Sequence, residues 1–336
     1  MFKRLAMMAA ATAMMTASAA ADTVNLKFAS FVPERSITMA NIMVPFIEDV
    51  NADSEGTLQI DFFPGGILGR SPAQQLKLVQ DGVADIAFII PTYTAGRFPD
   101  NDIFELPLLI DTVEEGSFAA WRMFEDGQLR GYEGIKVLGL FAGVNSLHAS
   151  FPMDDLSALE GRKIRGSGYL QTQMIEALGG VPVGGVATEI TENLDRGIID
   201  ATLLDWNSVS IYRIPEVAEH HLDAPLGTAV VLVAMNQQVY DGLPDAAKAA
   251  IEKHAGEAFV QRYVDVLAPK YEDVRAEVAA MEGQQVRELT EEERAELETT
   301  FAPIIEEWKA ENPAGEERLQ ALRDILADIR SGSAGE

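Results

Sequence analysis

Apolar and polar side chains alternate at the start of the regular part of the chain. Val24, Leu26 and Phe28 are set against Asn25 and Lys27, the pattern of a half-buried strand. The period then changes. Ala40, Met43, Val44, Ile47 and Val50 recur at helical spacing, and Leu58, Ile60 and Phe62 alternate again. After the turn at Pro64-Gly65-Gly66, Ser71 and Pro72 have the signature of a helix start, with Leu76 and Val79 facing inward and Gly82 as the stop. Residues 85–90 turn continuously apolar after Asp85, as in a strand buried on both faces. The order β-α-β-α-β predicts a parallel sheet with crossover helices.

The alternation resumes downstream. Strands are expected at 136–141, 163–165, 198–204 and 228–235, and helices at about 171–178 and 189–196, closed by Gly179-Gly180 and Gly197. Beyond Pro244 the pattern is helical. Ile251, Ala255, Phe259 and Tyr263 mark one face of a long helix. Thr290-Glu291-Glu292-Glu293 forms a capping box ahead of Leu297, Phe301, Ile305 and Trp308, and Leu319, Leu322, Leu326 and Ile329 define a terminal helix. Two α/β units in series, with no Gly/Ser linker between them, predict an α/β fold of two lobes with a ligand cleft between them and long C-terminal helices. The expected division is a signal peptide at 1–21, a first lobe of 22–143 plus about 230–270, a second lobe of 144–229 plus about 271–330, and a tail at 331–336.

The signal peptide rests on three regions in order. Lys3 and Arg4 come first, then the apolar run Leu5 to Met15, then small residues ending in Ala19-Ala20-Ala21 before polar Asp22. The run is shorter than the ~20 residues a membrane span needs. Cleavage between Ala21 and Asp22 and export to a bacterial periplasm are therefore expected. Lys and Arg number 26 against 53 Asp and Glu, a net charge of −27. That excess argues against nucleic acid and against anionic membrane surfaces as partners. The chain has no cysteine, which excludes disulfides, thiolate metal sites and a cysteine nucleophile.

No catalytic constellation emerges. His148, His220, His221 and His254 lack metal-binding spacing, and His220-His221 reads as a solvated helix end. Gly166-Ser167-Gly168 lacks the outer glycines of a nucleophile elbow, and residues 64–69 lack the Lys-Ser/Thr of a phosphate loop. The expectation is a binding protein rather than an enzyme, with no cofactor and no metal.

Several stretches carry a family resemblance: Phe62-Phe63-Pro64-Gly65-Gly66-Ile67-Leu68-Gly69, Leu78 to Ala87, Tyr93-Thr94-Ala95-Gly96-Arg97-Phe98-Pro99, Glu105-Leu106-Pro107, Leu159 to Arg165, Leu178 to Val183 and Arg196 to Asp200. In order and spacing they resemble the extracytoplasmic substrate-binding subunits of tripartite ATP-independent periplasmic (TRAP) transporters, of the C4-dicarboxylate type. The resemblance implies a periplasmic-binding-protein-like fold whose lobes exchange strands across a hinge. It also implies closure on a small organic acid anion and delivery to membrane permease subunits driven by an ion gradient, by a chain expected to be a monomer.

The family's carboxylate-binding arginine falls on Arg165. The residues agree, because Arg165 ends a short strand, where a side chain can enter a crevice, and a guanidinium matches a carboxylate with two parallel hydrogen bonds. The alternative is a surface ion pair with one of the many acids. The second carboxylate contact is less regular. Leu204 stands where many relatives carry asparagine, and Trp206 and Asn207 follow. That pattern suggests Trp206 as a pocket wall with Asn207 or Asp205 as polar partner, against Trp206 as interlobe packing. Phe31 and Tyr93 follow strands and are candidates for ligand contact. So are Asn145 and His148, which follow the strand 136–141. Arg97 reads as structural. The expected ligand is a partly apolar or aromatic hydroxy- or keto-monocarboxylate, with a C4-dicarboxylate or sugar acid as the alternative. A secreted hydrolase and a purely sensory binding protein are the rival functions.

Overall fold

The computed structural model describes residues 23–332, so the expected signal peptide and residues 333–336 of the expected tail lie outside the described residues. The strands are β1 (Val24–Ala29), β2 (Leu58–Phe63), β3 (Ile86–Ile89), β4 (Ile135–Ala149), β5 (Lys163–Gly166), β6 (Val181–Gly184), β7 (Ala201–Asp205), β8 (His220–Asp223), β9 (Thr228–Asn236) and β10 (Gln285–Glu288). The first lobe is built on the order β2-β1-β3-β9-β4, in which β1 pairs parallel with β2 and β3, and β9 runs antiparallel between β3 and β4. The second lobe follows β6-β5-β7-β4-β8-β10. β3 and β7 are buried on both faces, which explains why residues 86–89 carry no alternation.

β4 belongs to both sheets. The sequence pattern ends this strand at 141, yet it continues to Ala149. Asn145, Ser146 and His148 look like loop residues, but each is buried and paired within the ladder. The expected lobe division at 143/144 thus falls inside a strand. There the partners change: Val144 lies opposite Thr228 of β9, and Asn145 lies opposite Asp205 of β7.

The helix after Pro244 is two helices, Asp245–His254 and Glu257–Ala280. The break is at Gly256, whose φ of 67° favours glycine and whose N–H donates to the Leu138 carbonyl at 2.7 Å. The second helix is 24 residues long, roughly 36 Å. Near its start Phe259 stacks on Phe46 and Tyr263 on Phe141, with centroids 4.0 and 4.3 Å apart. Further on, Tyr271 and Arg275 reach Asp205 and Asp223 of the second lobe. The helix therefore runs across both lobes along the strands that join them.

Three expectations are corrected. His220 and His221 are not at a solvated helix end but in β8, buried against β4. Ser71 makes no side-chain cap, and a short 3-10 turn at Pro72–Gln74 precedes the helix Gln75–Gln80. The last helix, Gly315–Arg330, was expected with the second lobe. It lies instead against the first lobe, because Arg318 pairs with Asp100 and Arg330 with Glu115, while Leu319, Leu322, Leu326 and Ile329 are buried.

Candidate functional site

The lobes enclose a cavity whose volume open to the centres of water molecules is about 70 Å³. One water needs roughly 10–15 Å³ on this measure, so the space suits a single small molecule. The carboxyl ends of parallel strands point into it, as open α/β sheets arrange their ligand sites. Phe31 follows β1, Phe88 lies in β3 and Tyr93 follows it. β5 supplies Arg165, and β7 and the helix after it supply Leu204, Asp205 and Asn207. β4 adds Asn145, β9 adds Val231, and the long helix adds Tyr263. Phe31 and Phe88 meet edge to face with centroids 5.9 Å apart, making one wall apolar.

Arg165 is 3 % exposed and is the only buried lysine or arginine among the described residues. Its Nε donates to the Gly185 carbonyl at 2.9 Å. Nη2 donates to the same carbonyl at 2.7 Å and to the Tyr93 hydroxyl at 2.9 Å, and Nη1 to the Leu203 carbonyl at 3.1 Å. All these acceptors are neutral. Among the described residues no carboxylate comes within 4.0 Å, so the expected alternative of a surface ion pair does not describe this arginine. A guanidinium has five N–H donors, and one on Nη1 is left over. The Tyr93 oxygen accepts from Arg165 and from the Ala187 amide at 3.0 Å, which leaves its own proton to donate. A buried cation with no carboxylate within 4.0 Å, beside a free hydroxyl proton, can accept an anion.

The same contacts hold the lobes together. Tyr93 bridges from the first lobe to Arg165 and Ala187 of the second, and the Asn207 amide donates to Thr38 Oγ1 at 3.0 Å. A third contact involves Glu105, which the sequence reading gave no role in the site. Its Oε1 accepts from Thr92 at 2.7 Å. Its buried Oε2 has no partner and sits against Gly168 of the second lobe. Burial pushes this carboxyl up to about 7. The Thr92 hydrogen bond opposes the shift, Asp102 adds to it, and the Arg165 charge opposes it. If opening the lobes solvates Glu105, closure takes up a proton, and affinity is expected to rise as pH falls from about 7 towards 4.5. Titrations between roughly pH 5 and 8 should show this slope. Glu105→Gln should flatten it, and an unchanged slope in that variant would refute the assignment.

The structure does not bring every expected residue to the cavity. Trp206 and His148 lie on the other face of the second sheet, a correction to their expected ligand contact. Trp206 Nε1 donates to Asp223 at 2.8 Å, and its ring meets His148 edge to face at 5.0 Å. His148 donates from Nε2 to the Leu204 carbonyl at 3.0 Å and faces His221 Nδ1 at 2.8 Å. Burial, then the neighbouring His221, pushes His148 down to about 3. The first residue of a helix turns away from the strand before it, so counting on from Leu204 misplaces Trp206. Trp206→Phe is therefore expected to cost about 1–3 kcal/mol of stability with ligand affinity within threefold of the parent. Thermal melts and calorimetry check both.

That face carries a larger hollow, about 490 Å³, between Val113 and Asp223. Asp111, Glu114, Asp223, Glu272 and Glu288 outnumber Arg275 and Arg294 there, and Arg275 is already held by Asp223, Glu272 and Glu288. It is a poor site for an anion. Arg97 bonds to Glu133 and stays outside the cavity.

Residues 28–312 match the DctP family, bacterial extracellular solute-binding protein family 7. The chain belongs to this family. It is a TRAP-type solute-binding protein with the two-lobed α/β fold of its solved relatives. TsaT of Comamonas testosteroni, described as an outer membrane transporter protein, is 27% identical over 315 residues, 91% of each chain. The C4-dicarboxylate-binding periplasmic protein DctP of Rhodobacter capsulatus is 25% identical over 286 residues, 82% of this chain and 83% of that one. A marine metagenome TRAP protein specific for aromatic acid ligands, solved with 3-hydroxybenzoate, superposes with a TM-score of 0.85 at 26% identity, covering 91% of this chain and 98% of that one. A TRAP protein from Rhodoferax ferrireducens T118 with copurified benzoate gives 0.85 at 28% identity, covering 93% and 100%. Family members are extracytoplasmic, and among the described residues no helix is long and apolar enough to cross a membrane.

Proposed function

We propose that this chain binds a small aromatic or partly apolar monocarboxylate between its lobes, with the carboxylate on Arg165 and Tyr93, and delivers it to TRAP permease subunits. The observation that carries the reading is the buried, unpaired Arg165 guanidinium with a free N–H beside the Tyr93 proton. The apolar walls of Phe31, Phe88 and Leu204 favour a ring over a polyhydroxy chain, and the aromatic ligands of two solved relatives support that choice. A C4-dicarboxylate fits less well. The cavity lining offers no second cation, and Asp205 would repel a second carboxylate. We further propose lobes of 22–143 with about 230–270 and of 144–229 with about 271–311, the last helix lying with the first. β4 and β9 join the lobes. A cleaved leader before Asp22, a periplasmic location and a monomeric chain complete the proposal.

The test uses protein unfolded and refolded to remove bound ligand. Calorimetry should show benzoate binding and benzamide, its uncharged isostere, at least 100-fold weaker. Equal affinity for the two would refute the carboxylate reading.

A further inference from the structure

The cavity has a second polar end that the carboxylate does not use. Asp205 is 8 % exposed and lines the cavity. Its Oδ1 accepts from the Ser208 amide at 3.0 Å and from the Tyr271 hydroxyl at 2.9 Å, while no hydrogen bond and no cation reaches Oδ2. Asn145, opposite Asp205 in the β4–β7 ladder, has a buried Nδ2 without a partner. Asn207 makes one bond, to Thr38, and its Oδ1 is buried and unpartnered. Turning that amide over leaves one of its atoms orphaned all the same. Two buried amide atoms without partners and the open Asp205 Oδ2 thus lie around one small cavity.

Their position is set by the strands. Arg165 lies opposite Thr202 of β7 and its guanidinium reaches the Leu203 carbonyl, while Asp205 is three residues beyond Thr202, a rise of roughly 10 Å along the backbone. The lining also includes apolar Phe31, Phe88 and Val231. The cavity thus holds a cation and, further along β7, an unsatisfied carboxylate oxygen, with apolar side chains in the same lining. The Asp205 charge also helps hold the neighbouring Tyr263 and Tyr271 phenols protonated, after burial itself.

We propose that Asp205, flanked by Asn145 and Asn207, is the specificity determinant of this cavity, selecting aromatic monocarboxylates that carry a hydroxyl at the end remote from the carboxylate. This rests on the Arg165 reading above. An ionised carboxylate only accepts, so a ligand hydroxyl satisfies Oδ2, whereas a bare ring closes over it and leaves it dry and unpaired. Sites built to bond a hydroxyl discriminate strongly against the analogue that lacks it.

The experiment titrates refolded protein with benzoate, 3- and 4-hydroxybenzoate, and their methoxy counterparts. The better hydroxy acid should bind at least tenfold more tightly than benzoate and than its own methoxy ether. In Asp205→Asn, the Ser208 amide and the Tyr271 hydroxyl keep the side-chain oxygen at Oδ1, so an NH2 takes the place of Oδ2. Asn caps a helix as well as Asp does. The preference for the hydroxy acid over its methoxy ether should then fall to within threefold, because an NH2 donates alike to a phenol and an ether oxygen, and a preference kept at tenfold would overturn the proposal. Benzoate and both hydroxy acids within threefold of each other in the parent would overturn the proposal and leave the Arg165 reading standing. No binding by any of them would overturn both. Should the variant fail to fold, the parent series alone decides.

Discussion

Arg165→Met is expected to abolish acid binding while leaving the ligand-free protein as heat-stable as the parent, or more so. The two halves of this result have one cause. Arg165 is a buried cation whose partners are two carbonyls and a phenol, with no carboxylate to compensate its desolvation. Replacing such a charge by an apolar side chain of similar length is often neutral or stabilising. In the complex, the same change leaves the ligand carboxylate dry and unpaired. Losing one partner of such a pair costs about 2–5 kcal/mol, roughly 30- to several-thousand-fold in Kd. Calorimetry and a melt on the same sample check both. Affinity within threefold of the parent, or a collapsed melting transition, would contradict the role given to Arg165.

The second large effect concerns closure. Gly168 precedes the helix Tyr169–Ala177 and faces Glu105 and Thr92 across the lobe contact. A Cβ there would lie 2.8 Å from Thr92 Cγ2 and closer still to Glu105 Oε2. Its φ of −139° and ψ of −179° are open to any residue, so the backbone itself does not require glycine. Gly168→Val should thus clash only when the lobes are together. Overpacking of this kind costs about 1–3 kcal/mol, roughly 5- to 150-fold in affinity. The variant should melt like the parent without ligand. Under saturating benzoate, small-angle scattering should show a radius of gyration larger than the parent's. Parent-like affinity would mean that the lobes do not close through this contact.

Much of this was legible in the sequence because the informative residues sit where local pattern and position agree. Strand alternation at Val24–Phe28, the capping box at Thr290 and the arginine at the end of β5 each carry their own signal. The rest was hidden for physical reasons. β4 runs on through Asn145, Ser146 and His148, whose polarity reads as loop until their partners across the ladder are seen. β8 and β10 are four-residue strands that pair with each other, and β8 also pairs with β4, contacts no local pattern encodes. Trp206 looked like a cavity wall because it follows Leu204 closely in the sequence, but Asp205 caps a helix there and Trp206, the first residue of that helix, is not in the cavity lining. Glu105, Thr38 and Tyr263 reach the site or its rim from distant segments, and only the folded chain brings them together.

The most direct measurement is a crystal structure of the refolded protein with 3-hydroxybenzoate. The ligand carboxylate is expected within hydrogen-bond distance of Arg165 Nη1 and the Tyr93 hydroxyl, with the ring against the wall made by Phe31 and Phe88. A ligand seated instead in the larger hollow beside Trp206 and Arg275, with Arg165 untouched, would contradict it.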